Sequence, residues 1–120
     1  MTITSEIQIV VEATISEGKV DALKKLAQET LDVVKAKDPG TLAYQFYFNN
    51  DESKVYFLER YKDSQSFLSH MENTIPHQQK LRELATITRI EVFGNPSPDL
   101  EKTLSSFGAR FFKYWNGFIR

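Results

Sequence analysis

Proton transfer near neutral pH falls first to the two histidines of this chain, His70 and His77, because cysteine is absent. The missing thiols also remove disulfides, zinc–thiolate sites, iron–sulfur clusters and a thiol nucleophile. Two histidines cannot build a three-histidine zinc centre within one subunit, and Pro76 breaks any helix face they share, so no metal is expected. No GxSxG and no glycine-rich phosphate loop occurs, and the five glycines stand apart. His70 follows an aromatic stretch and can act as a general base on a small molecule bound beside it. Its other reading is a half-buried helix residue bonded to a backbone carbonyl.

Glu59 is the second catalytic candidate. It is the one charge in the alternation Val55, Phe57, Glu59, Tyr61, so it stands on an otherwise apolar face. There it orients His70, bonds a substrate hydroxyl, or simply pairs with Arg89. Tyr44, Tyr61, Phe46 and Phe57 are candidate substrate-binding residues that can stack a flat aromatic ligand. Phe46 and Phe57 read equally as core, whereas each tyrosine hydroxyl needs a partner. Arg60 and Arg89 can hold an anionic group. His77, beside Pro76 at a helix start, is expected to face solvent.

The elements that must position these residues follow from periodicity. Residues 6–14 alternate as a strand that is apolar on both faces, which marks a central strand. Val20, Leu23, Leu26 or Ala27, Leu31 and Val34 then recur at helical steps over about residues 18–37, with Ser16 or Glu17 as the cap. Pro39-Gly40 stops that helix. Leu42, Tyr44, Phe46 and Phe48 alternate in a strand over 41–48, and the polar run 49–53 turns it into a second strand over 54–61. Asp63 caps a helix to Asn73, Pro76 starts a shorter one to Leu84, and residues 86–93 form a last strand. The order β-α-β-β-α-β is the ferredoxin-like α+β arrangement, with both crossovers on one face of the sheet.

The 120 residues suffice for one core, and a net charge of −1 gives no reason to expect nucleic acid. No apolar run is long enough for a membrane span and MTITSEIQ has no signal-peptide pattern, so a cytoplasmic protein without membrane contact is expected. After Pro96 the composition changes. Asp99 is placed to cap a short helix with Leu100, Leu104 and Phe107, and six of the fifteen aromatics lie between Phe107 and Phe118. Such a tail should pack on something, either its own pocket or a second subunit. The division expected is a domain over 1–95 and an extension over 96–120.

The segments ISEGKVDALKKL, DPGTLAYQFYF and VYFLERYKDSQSFLSHM, in that order and spacing, resemble the antibiotic biosynthesis monooxygenase family and its quinol-monooxygenase members. The resemblance covers about residues 6–93 and leaves the extension outside the common pattern. It implies a dimeric α+β barrel in which two sheets face each other as a homodimer. It also implies a cofactor-independent monooxygenase that uses molecular oxygen on a small quinol-like or polyphenolic substrate, with neither metal nor flavin and with His70 as base. Gln78 departs from the pattern, because relatives carry an aromatic after the Pro-His pair. The competing readings are a non-catalytic small-molecule-binding module on the same fold, and an isomerase or lyase that uses the same base without oxygen.

Overall fold

A computed structural model describes residues 5–120. Strand β1 (Ile7–Ile15) leads into helix α1 (Val20–Lys37), followed by strands β2 (Thr41–Phe48) and β3 (Lys54–Tyr61). Helices α2 (Ser64–Asn73) and α3 (Ile75–Leu84) then precede strand β4 (Ala85–Phe93). Helix α4 (Pro98–Ser105) and the short strand β5 (Arg110–Phe112) complete the chain. The sheet order is β2-β3-β1-β4-β5. The first four strands are antiparallel, which is the ferredoxin-like α+β fold that the alternating pattern predicts, and β5 adds parallel to β4.

Alternation on the central strands decides the two faces. Ile7, Ile9, Val11 and Ala13 of β1, with Val55, Phe57 and Tyr61 of β3, are buried beneath the helices. Leu23, Leu26 and Val34 of α1 and Phe67 of α2 close over them. The opposite face leaves Tyr47, Leu58 and Phe93 exposed. Leu42 departs from its predicted place. A bulge between Thr41 and Ala43 absorbs one residue of β2, so the alternation restarts at Tyr44 and Leu42 is 51% exposed.

The helix starts correct two expected caps. Neither Ser16 nor Glu17 caps α1; the cap residue is Lys19, which makes no side-chain bond and donates its N–H to the Ser16 carbonyl. Ser97, not Asp99, caps α4 by accepting the Leu100 N–H, and Asp99 falls in the first turn, where its charge suits the helix dipole. Asp63 does cap α2 as its position suggests. The extension packs in part. Leu100 and Leu104 are fully buried against the helix side of the sheet, whereas Trp115 and Phe118 remain more than 80% exposed.

Candidate active site

One turn aims the first polar group of the candidate site. Asp38 is the C-cap of α1: its N–H donates to the Val34 carbonyl and its own carbonyl accepts the Thr41 N–H across Pro39-Gly40. Gly40 is needed there because a Cβ would stand 2.1 Å from the Ser66 hydroxyl, which Asp63 holds at the start of α2. The turn and α2 are therefore seated on each other. The Asp38 side chain points inward, almost fully buried, and one carboxylate oxygen meets His70 Nδ1 at 2.8 Å. The other oxygen accepts a hydrogen bond from Asn73 Nδ2, one helical turn beyond His70.

This pairing fixes the imidazole. A carboxylate accepts only, so Nδ1 carries the proton and Nε2 is left as the basic nitrogen. Tyr44, Tyr61 and Phe67 surround the ring with centroids 5.2, 5.2 and 5.9 Å away. Burial lowers the His70 pKa, and the Asp38 carboxylate opposes that shift in part. His70 is therefore neutral at physiological pH and able to accept a proton. Its helix reading is resolved in favour of a side-chain partner: a carboxylate, not a backbone carbonyl, holds Nδ1.

Glu59 faces the free nitrogen, with Oε1 3.9 Å from His70 Nε2. That is beyond direct hydrogen bonding, yet a substrate hydroxyl seated beside both can touch each. Burial raises the Glu59 pKa to about 7, against the lowering effect of the Tyr61 hydroxyl that donates to it. Arg89 is no partner of Glu59, because β4 lies on the far side of β1 and Arg89 pairs in register with Glu12. Arg60 is engaged by Glu6 through two hydrogen bonds of 3.0 and 2.9 Å.

A cavity of about 140 Å³ opens on this pair between the sheet and the helices. Glu59, His70, Tyr44, Phe46 and Phe57 all line it. Tyr61 does not: it is wholly buried behind Glu59, so it positions the carboxyl group and cannot touch a ligand. Burial and the nearby carboxylates push the Tyr44 hydroxyl well above the ordinary phenol pKa, so it keeps its proton as a donor. His77 is also placed differently from expectation. It is half-buried and lines the cavity, because α3 runs back along α1 and not out into solvent. Among the described residues no group of three or more His, Asp or Glu side chains could hold a metal ion.

The profile of the antibiotic biosynthesis monooxygenase family matches residues 7–84, which contain all of this machinery. The chain belongs to that family. MupZ from Pseudomonas fluorescens superposes with a TM-score of 0.89 at 26% identity, covering 98% of this chain and 96% of its own. SnoaB from Streptomyces nogalater, described as a cofactor-independent oxygenase, superposes at 0.67 and 18% identity, covering 78% of this chain and 96% of its own. A putative antibiotic biosynthesis monooxygenase from Nitrosomonas europaea gives 0.68 at 14% identity, covering 82% and 97%. At such identities the last two share the family fold, whereas the MupZ match runs on through α4 and β5. No curated protein sequence matches the chain.

Proposed function

We propose that the chain is a cofactor-independent monooxygenase in which His70 is the general base on a quinol-like or polyphenolic substrate. The observation that carries this reading is the buried Asp38–His70 pair, whose free Nε2 faces an aromatic cavity. Removing a substrate proton leaves an electron-rich anion that reduces oxygen directly. At a CH2 centre the product is a carbonyl: the substrate loses two hydrogens, gains one oxygen atom, and the second oxygen leaves as water. Phe46, Phe57 and Tyr44 offer the anion apolar walls and one phenolic donor. The test is oxygen uptake on a panel of hydroquinones and polyphenols. Uptake by wild type that is lost in His70→Ala supports the reading, and no uptake on any compound turns it toward a binding module.

Glu59 favours a second reading. A carboxyl group that is half protonated near pH 7, beside a neutral imidazole, is also a general acid–base pair for isomerisation or elimination without oxygen. Turnover that continues in anaerobic buffer identifies that chemistry.

The exposed apolar side chains of the open sheet face, Tyr47, Leu58 and Phe93, support a homodimer with that face covered. Light scattering at micromolar concentration checks it: a monomeric mass overturns the dimer. Among the described residues no helix is long and apolar enough to cross a membrane.

A further inference from the structure

The cavity has a second polar end that the proton-transfer chemistry does not use. Helix α3 lays His77, Gln78, Leu81 and Arg82 along one wall. Gln78 is occupied, since its amide donates to the Met71 carbonyl and the Thr74 hydroxyl. His77 is not: its Nδ1 is buried and has no hydrogen-bond partner. A buried ring nitrogen without a partner carries a desolvation cost, which a turn of the ring toward a ligand in the cavity that His77 lines would offset.

Arg82 is the one lysine or arginine lining the cavity, and it has no ion-pair partner among the described residues. Its guanidinium lies over the Phe107 ring, 5.8 Å from the centroid. Stacking of that kind occupies the flat face of the guanidinium and leaves its in-plane N–H groups available. Phe107 and the buried Leu104 both come from the extension, so the tail builds the wall that holds this cation at the rim. Much of the remaining lining is apolar, including Leu23, Leu26, Leu81 and Ile90.

The charges are therefore distributed along the cavity. Asp38 and Glu59, the acidic groups, stand at the reacting end, while Arg82, the one cation of the lining, is exposed at the rim. We infer that His77 and Arg82 form a recognition site for a carboxylate on the substrate, which enters reacting end first and leaves its acid group at the rim. The substrate class is then an amphipathic carboxylic acid whose polar reacting group is separated from the acid by an apolar segment. This deepens the active-site reading and rests on it only in taking this cavity as the place where substrate binds.

The experiment is calorimetric titration of the full chain, in anaerobic buffer, with octanoate and with octan-1-ol. The two probes share one chain and differ in charge. Wild type should bind octanoate about tenfold more tightly than the alcohol, the range of a charge-assisted hydrogen bond. Arg82→Gln, at an exposed position, should remove that preference and leave the alcohol unchanged. Arg82→Lys should keep part of it. His77→Leu should weaken octanoate by about fivefold, the effect of one lost hydrogen bond. Equal binding of acid and alcohol by wild type overturns the inference, as does an equal loss of both probes in Arg82→Gln. Octanoate affinity unchanged in His77→Leu removes His77 from the site and overturns the two-residue assignment. Binding is read without turnover, so a failure of oxygen uptake and a failure of acid recognition are separate results.

Discussion

Glu12 on β1 and Glu59 on β3 are both buried carboxyl groups on adjacent strands, yet they are driven in opposite directions. Glu12 looks out from the open face and accepts hydrogen bonds from Tyr56 and Thr88. Those bonds, with Lys54 and Arg89 nearby, hold its pKa below the usual carboxylate value. Glu59 looks into the helix side, receives one donor, Tyr61, and has no cation beside it, so burial raises its pKa to about 7. Neither side chain is open to solvent, yet desolvation dominates at Glu59, whereas two hydroxyl donors and nearby cations outweigh it at Glu12. One face of the sheet uses its carboxylate for cohesion. The other keeps a carboxyl group that can exchange a proton.

The strongest challenge to that contrast is at the proposed base. His70→Ala should lower turnover by about a thousandfold, within the range of general-base catalysis, and should also lower the melting temperature, because it leaves the buried Asp38 carboxylate without its imidazole partner; steady-state oxygen uptake on protein shown to be folded, and thermal unfolding, check both. Asp38→Asn should cost roughly a hundredfold in turnover by disturbing the tautomer that presents Nε2. Because Asp38 holds the His70 pKa up, its loss should also move the acid limb of the pH–rate profile to lower pH, which a purely structural role would not do.

Stability should separate the two carboxyl groups by sign. Glu59 binds its proton more tightly folded than unfolded, so its contribution is complete below about pH 4.5 and is lost as pH rises through about 7. Glu59→Gln should therefore be neutral near pH 4 and stabilising near pH 9 by on the order of 3 kcal/mol in urea unfolding. Glu12 behaves in reverse: its contribution is present above its unfolded pKa and lost as pH falls through its lowered folded value. Glu12→Gln should destabilise at pH 7 and become neutral in acid, and unfolding curves at both pH values check it. If the two variants share one sign at pH 8, the division between the faces is wrong.

Much of the fold was legible because alternation and helical steps are short-range signals. The four main strands, α1 and the break at Pro76 all fall where the pattern places them. The places of His70 and Glu59 on the cavity wall were legible for a related reason: each interrupts an apolar series. Asp38 was not, since its partner lies 32 residues away and only the fold brings them together. The one local hint was its place directly before Pro39-Gly40, where a side chain is turned back toward the core. His77 was misplaced because a helix start suggests solvent, and only the packing of α3 along α1 shows otherwise. Leu42 was assigned to the inner face because a bulge leaves no mark in a period-two pattern. Tyr61 was read as a ligand contact, but its ring is fully buried, its hydroxyl is taken by Glu59, and it does not line the cavity.

The strand β5 has a consequence for how this chain meets its neighbours. A sheet grows by recruiting a new strand at an unpaired border, and such borders are where proteins aggregate. Here Arg110–Phe112 occupies the β4 border with three residues, too short a run to template much further pairing. At the opposite border the bulge at Leu42 interrupts the hydrogen-bond ladder of β2. Both margins thus resist lateral extension, so the open face, not an edge, is where the proposed dimer contact would form.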